Sequence, residues 1–408
     1  MVYNTNKIFL YLAFFVTLPV VVFILLAIIF PVSLFTIFYE YHLDASLNPF
    51  EPSVWLVPIV SSNFILIAIG FAYYRKKIPL QIYKGIEFIL NFEISKKTAL
   101  LVGIIMLVIY IGFSLPELAI HEGTQWDDWK SLEAALDTWP STDSTLPSIN
   151  EYNTRYVKML LLDASTNIFQ NIKVLPFVAS IFLVIATFFL TYQITQKRFA
   201  GIISMVILLQ SHTFLQFDTI AVYDNFWVLF FVVSIYLINR KWQYSSIFYV
   251  LSMFSKLFIA IFFLPSIYYI CRASISKRKK LFTLGSYAAT LIIILLVYSM
   301  QQGIYQIIDI SSTEFFLAFT SLGTALRYDL IIISSLLPLT LGLFFKFKND
   351  NSKADSILVL ILTGLVSGPA FAMFTSYLDI GFPVLPYRYL PLIVFVAVGI
   401  GVFFSRKN

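Results

Sequence analysis

Two adjacent carboxylates, Asp127 and Asp128, stand in the run Trp126-Asp127-Asp128-Trp129, just past a long apolar segment and at the head of the only large polar loop. Acids flanked by indoles at the mouth of a membrane cavity are poised for proton chemistry, because desolvation lifts a carboxylate toward working pH. Neighbouring helical residues point about 100° apart, so the pair cannot both face one reacting atom. One would act as base and the other as its support. The plainer alternative is a pair of N-terminal helix charges, each worth about 0.3–1 kcal/mol against the helix dipole.

Other polar residues could join them. Lys256 interrupts an apolar region at Ser255-Lys256, and a charge at membrane depth costs about 2.5–3.5 kcal/mol on insertion scales, so it should have a partner. Its alternative is a lysine snorkelling from a helix end. Arg327 and Arg388 each stand beside tyrosine, Tyr328 and Tyr387, at a helix mouth; interfacial anchoring or a pair with Asp329 or Asp379 explains them equally well. Arg155 is a further basic residue of the loop. Asp218 reads as an exposed turn acid and His212 as a satisfied helix-end histidine. The acidic pair could hold Mg or Mn, but two carboxylates without further clustered ligands specify neither. Three scattered histidines and the single Cys271 exclude a thiolate metal site or an internal disulfide and argue against zinc.

The elements that must position these groups are membrane helices. With 408 residues, 59% hydrophobic and 12% charged, and a mean hydropathy of +0.84, the chain has no soluble domain of ordinary composition. Apolar stretches able to cross a ~30 Å hydrocarbon layer recur at about 8–38, 55–74, 98–120, 172–193, 199–217, 222–239, 282–300, 329–345, 355–377 and 386–404. The region 243–271 reads as two short helices. The expectation is an all-α polytopic membrane protein of about twelve crossings, since lipid admits no open strand edge. The first stretch is too long for a signal-peptide core and is expected to remain as an anchor.

Charge supports that threading. With the N-terminus inside, 21 of the 28 basic residues fall in cytoplasmic connections and 18 of the 22 acids fall outside, as the positive-inside rule requires. The net charge of +6 is therefore topology, and no nucleic-acid partner is expected. Both termini are placed in the cytoplasm of what is expected to be the cell membrane.

The loop from 121 to 171 is too long to be a passive connection. Trp126, Trp129, Leu132, Leu136 and Trp139 share one helical face, which predicts a helix lying on the membrane with Asp128, Ser131 and Asp137 toward water. A break at Pro140–Pro147 precedes a second amphipathic stretch through Tyr156 and Leu160 to Ile168.

On these pieces the chain resembles the GT-C superfamily of membrane glycosyltransferases, which includes protein O-mannosyltransferases and the aminoarabinose transferase of lipid A. Asp127-Asp128-Trp129 with Leu132-Glu133-Ala134-Ala135 is similar to the family's acidic pair and following helix. Asn153-Thr154-Arg155-Tyr156 resembles the approach to its second loop helix. Tyr223-Asp224-Asn225 followed by an aromatic span resembles its acid at a helix mouth, and Pro386-Tyr387-Arg388-Tyr389-Leu390-Pro391 its Arg-Tyr-Leu run. Ser255-Lys256-Leu257 resembles its break between short helices. The likeness covers about residues 98–404. Residues 1–97, two spans and a basic linker, are an addition to the family pattern, and acceptor recognition by the soluble domain many members carry after the last span is not expected from the sequence through Asn408.

The resemblance implies a polyprenyl- or dolichyl-phosphate sugar as donor and a protein, lipid or glycan as acceptor on the extracytoplasmic face. It makes Asp127 the base, Asp128 its support and Asp224 a second carboxylate of the cavity, with Lys256, Arg327, Arg388, Tyr387 and Arg155 as substrate contacts. Two other classes compete: a transporter or flippase, which would place charges and breaks at mid-membrane in paired helices, and a noncatalytic membrane subunit.

Overall fold

The computed structural model describes residues 2–31, 50–126, 128–139, 155–300, 312–348, 353–373 and 386–405. Among them every regular element is helical, the form that lets a segment satisfy its own backbone in lipid. In chain order the helices are α1 (Val2–Ile29), α2 (Leu56–Tyr74), α3 (Leu80–Asn91), α4 (Lys96–Ser114), α5 (Trp129–Thr138), α6 (Tyr156–Phe169), α7 (Val174–Thr195), α8 (Arg198–Leu209) and α9 (His212–Gln216). There follow α10 (Phe226–Ile238), α11 (Trp242–Ser255), α12 (Phe263–Arg272), α13 (Lys277–Met300), α14 (Ser312–Leu326), α15 (Leu330–Lys348), α16 (Ala354–Met373) and α17 (Leu390–Val402). Short 3-10 turns occupy Leu115–Ala119, Glu122–Thr124, Leu257–Phe262 and Pro386–Tyr389.

Six of these segments are long and apolar enough to cross a membrane: Ile8–Ile29, Leu56–Tyr74, Lys96–Ala119, Val174–Thr195, Lys277–Val297 and Ala354–Met373. Six more apolar helices have only 10–17 residues. At 1.5 Å per residue, a helix of that length reaches roughly 15–26 Å. The stretch expected at 199–217 is broken after α8 and resumes as α9, and 243–271 is indeed split, into α11 and α12 with Lys256 in extended backbone between α11 and the 3-10 turn. Helix α14 was not among the expected spans. Its fifteen residues include Glu314, Gly323 and five hydroxyl side chains, which dilute its hydropathy. Hydroxyls inside the helices mostly bond the carbonyl one turn back, as Thr17, Thr187 and Thr340 do, so they need no other partner in lipid.

The chain forms two compact units. The first gathers Met1–Ser95, Thr191–Thr213 and Ile308–Asn408. The described residues up to Ser95 fall in this unit. Helix α1 packs on α14, α15 and α16, and α2 packs on α15. Phe23 meets Phe316 and Phe319 edge-on and Gly323 lies against Ala27 and Ile28, so α14 runs parallel to the last turns of α1. The Asn63 amide bonds the Ile333 carbonyl across α2 and α15.

Gly364 to Pro369 reads in sequence as a helix break, but α16 continues through Pro369. The glycines serve close packing. A Cβ on Gly364 would lie 2.9 Å from Leu392 Cβ and 3.0 Å from Leu392 Cα, and one on Gly368 would meet the Tyr389 ring. Small residues four apart let α16 and α17 approach in the way membrane helices favour. Gly364→Ala should cost about 1–3 kcal/mol, because the obstacle is backbone as well as side chain; a lowered unfolding midpoint in detergent is the readout, and an unchanged midpoint would show that the helices can part freely.

The second unit gathers Lys96–Leu190 and Phe214–Ile307. Its centre is the hairpin of α10 and α11, with α13 and α6 packed on α11. Tyr249 and Tyr287 stack at 3.9 Å between α11 and α13, and Ser245 bonds both the Ser234 carbonyl and the Tyr287 hydroxyl.

Candidate functional site

All residues from 217 to 225, the turn that leads into α10, are buried, and side chains from distant parts of the second unit tie it down. The Ser180 hydroxyl donates to the Asp218 carbonyl at 2.7 Å, and the Asn225 amide donates to the Phe217 carbonyl and to Ser180. Glu122, 1% exposed, accepts the backbone N–H of Ala221 at 2.6 Å and of Val222 at 3.0 Å, one on each carboxylate oxygen. Burial pushes its pKa up, opposed by those two N–H donors.

Lys158, on the first turn of α6 and 2% exposed, donates to the Val222 carbonyl at 2.6 Å and pairs with Asp224 Oδ2 at 2.9 Å. Asp224 Oδ1 accepts the Phe226 N–H at 3.0 Å, an Asx turn that opens α10. Both oxygens of Asp224 are thus engaged. Burial pulls the Lys158 pKa down and the Asp224 charge pushes it back up, with Arg155 close enough to add repulsion. A second buried amine, Lys173, donates to the carbonyls of Glu117 and Ile120, closing the end of the 3-10 turn that precedes the acidic loop.

Tyr223 carries the turn outward. Its hydroxyl donates to Asp128 Oδ2 at 2.8 Å, and its ring meets Trp126 edge-on at 5.0 Å and Phe217 at 5.8 Å. Asp128 is exposed and occupies the N-cap position of α5 without capping it. The helix-charge alternative would aim this carboxylate at its own helix, whereas it reaches a residue 95 positions away. The face of α5 follows expectation in part: Trp129, Leu132 and Ala135 are buried while Asp128 and Asp137 are exposed. Asp127 itself lies outside the described residues.

Helix α6 is two-sided. Leu160 and Ile168 are 59% and 69% exposed, whereas Met159 and Leu162 are fully buried with Lys158 and Ser165. Tyr156 at its start touches Trp139 and Phe254, which brings Arg155, Lys158 and the Ser255-Lys256 break into one neighbourhood. Lys256 is 8% exposed and its amine stands 5.7 Å from the centre of the Trp227 ring, a cation–π approach.

Among the sequence candidates, Asp128, Asp224, Arg155 and Lys256 therefore belong to the second unit, around the start of α10. Arg327, Tyr387 and Arg388 belong to the first. There Arg327 stands 4.7 Å over Tyr328, and Arg388 stands 4.3 Å over Phe371 and 5.9 Å over Tyr387. Asp329, offered above as a partner for the arginines, accepts the Thr213 hydroxyl at 2.6 Å; Asp379 lies outside the described residues. His212 is exposed at the start of α9. Among the described residues no three His, Cys, Asp or Glu side chains gather as a metal site.

Asp218 corrects its reading as an exposed turn acid, since it is 1% exposed. Its Oδ2 accepts the Ser114 hydroxyl at 2.7 Å, and the Tyr110 hydroxyl also interacts with the carboxylate. Burial raises its pKa to about 6, against the Ser114 bond that lowers it. Between the ordinary carboxylate range and about 6 the folded chain holds a proton that the unfolded chain has released. Stability contributed here is full at acid pH and falls as pH rises through that window. Asp218→Asn should remove this part of the slope, measured as the unfolding midpoint between pH 4 and 7; an identical slope in the variant would contradict the assignment.

Compared with protein-family models, with curated proteins and with solved structures, the chain matches none.

Proposed function

We propose that this chain is a membrane glycosyltransferase that moves a sugar from a polyprenyl- or dolichyl-phosphate donor to a protein, lipid or glycan acceptor on the extracytoplasmic face. The observation that carries the reading is the Tyr223–Asp128 bond, which draws a carboxylate at the head of the loop helix away from its own helix. It meets there the turn that bears Asp224, paired with Lys158 of α6, in the unit that also holds Arg155 and Lys256. An acid beside a cation-bearing wall is what this chemistry needs.

In this reading Asp127 takes the proton of the acceptor hydroxyl as its oxygen bonds the anomeric carbon, and the bond from that carbon to the phosphate oxygen breaks. Asp128, steered by Tyr223, supports the base. The leaving phosphate needs no general acid, and Lys256 and Arg155 offset its charge. Asp224 acts through Lys158 and the turn, holding the wall in place. Arg327, Tyr387 and Arg388 enter as further donor contacts on the sequence resemblance alone. The threading is the one expected from sequence, about twelve crossings in which the apolar region 243–271 counts as two, with both termini in the cytoplasm.

The test is incubation of the purified chain in lipid with labelled polyprenyl-phosphate sugars and candidate acceptors. Label appearing in a new glycosidic product supports the proposal. Label crossing sealed vesicles without any new bond would replace it with transport.

A further inference from the structure

Helix α3 has no buried residue, yet it is firmly held. The Lys197 amine donates to the Leu90 carbonyl at 2.7 Å, occupying one of the orphan acceptors at the helix end. The Arg198 backbone N–H and guanidinium both reach Glu93, and Tyr83 stacks on Tyr73 at 5.1 Å while donating to Glu87. These ties fasten α3 along one edge to the start of α8 and the end of α2, within the first unit. The rest of the helix faces outward.

What it presents there is two-sided. At 100° per residue Ile82, Gly85, Ile89 and Phe92 fall on one side and Lys84, Glu87 and Asn91 on the other. Ile82 and Ile89 are 55% and 53% exposed. An open cleft of about 440 Å³, lined by Lys84, Glu87, Phe88, Asn91, Phe92 and Glu93, lies along the helix, far in sequence from the acidic loop. Directly before it, α2 closes with the N–H groups of Arg75, Lys76 and Lys77 bonded back to Phe71, Tyr73 and Ala72, and Lys76 in the left-handed region at φ 54°. That turn leaves three basic side chains exposed at the end of a span.

An exposed apolar stripe of helical period beside a fan of cations matches one surface: apolar side chains enter the acyl boundary while lysine and arginine meet phosphate. We propose that α3 lies in the membrane interface and, with Arg75, Lys76, Lys77 and Lys84, binds anionic phospholipid headgroups on the side that the charge sorting assigns to the cytoplasm. This surface is independent of the glycosyl-transfer reading. Through Lys197 and Arg198 it couples the lipid surface to the α7–α8 turn.

Site-directed spin labelling tests it. In a Cys271→Ser background, labels at 82 and 89 are compared with labels at 84 and 91, in vesicles of phosphatidylcholine alone and in a roughly 7:3 mixture with phosphatidylglycerol. Labels at 82 and 89 should be reached by oxygen and shielded from a water-soluble nickel chelate, more so in the anionic mixture, with the reverse at 84 and 91. Equal chelate access at all four positions would overturn the interfacial placement. Because each basic residue near an anionic surface contributes about a fivefold preference, Arg75, Lys76 and Lys77 changed together to Gln should erase the lipid dependence at 82 and 89. Dependence that survives the triple change would overturn the headgroup assignment. All these positions are exposed or half-exposed, so folding is not at stake.

Discussion

Asp224→Asn is expected to destabilise the chain by about 3–5 kcal/mol, the cost of leaving one member of a buried ion pair without the other. The asparagine keeps an oxygen for the Phe226 N–H, so the Asx turn survives and the loss is that of charge. Lys158, 2% exposed, then keeps the Val222 carbonyl but loses its carboxylate counter-charge. Its amine can escape part of the cost by releasing its proton, since burial already pulls its pKa down. In the variant the unfolded chain binds more protons than the folded one at neutral pH, so its stability should rise with pH. The parent, with the Lys158–Asp224 pair intact, should show less of that rise.

Lys158→Met reverses the imbalance and should cost a similar amount, because Asp224 is then the uncompensated charge. The double variant should recover most of the loss, as buried pairs replaced by apolar or neutral groups often do. The readout is the thermal midpoint in detergent across the four-membered cycle, with single-variant shifts of roughly 10 °C. Two single variants melting within about 2 °C of the parent would show that water reaches the pair and screens it.

This pair also marks the boundary of what the linear sequence reveals. Apolar runs are legible because a membrane demands their length, and α1, α2, α4, α7, α13 and α16 stand where the runs do. The break at Ser255-Lys256 is legible for the same reason, as the one charge inside an apolar region. Helix α5 is legible through the spacing of Trp129, Leu132 and Leu136. Helix α14 is not, since its small and hydroxyl residues hide an element whose packing against α1 and α16 supplies what its hydropathy lacks.

The face of α6 is illegible for a different reason. Hydrophobic pattern points to Tyr156, Leu160 and Ile168, but the helix turns inward the side bearing Lys158 and Ser165. A buried lysine is tolerable only where acceptors wait for it, and those acceptors lie 64 and 66 positions away at Val222 and Asp224. Glu122 is bound to N–H groups about a hundred residues on. Periodicity carries no trace of partners so distant. In the same way Asp218 reads as a turn acid between two apolar stretches, whereas it is buried and bonded by Ser114 and Ser180, 104 and 38 positions away.

Asp127→Asn should abolish sugar transfer, lowering the rate by about 10²–10⁴-fold, the range that a positioned general base contributes. Asparagine matches aspartate in size and the position is flanked by the ordered Trp126 and α5, so the amount of protein and its melting should not change. Asp128→Asn is expected to be milder, because its amide oxygen can still accept the Tyr223 hydroxyl; the loss should be near tenfold, in proportion to about 1.5 kcal/mol for a hydrogen bond to a charged acceptor made neutral. Tyr223→Phe removes the bond outright and should cost at least as much as Asp128→Asn, and the two together should cost no more than Tyr223→Phe alone, since they act on one interaction. The measurement is transfer from a labelled lipid-phosphate donor at saturating acceptor. Full activity in Asp127→Asn would take the base role from that residue. A complete loss in Asp128→Asn alone would move the role to the carboxylate that Tyr223 holds, and the bond that now reads as steering would become the bond that tunes the base.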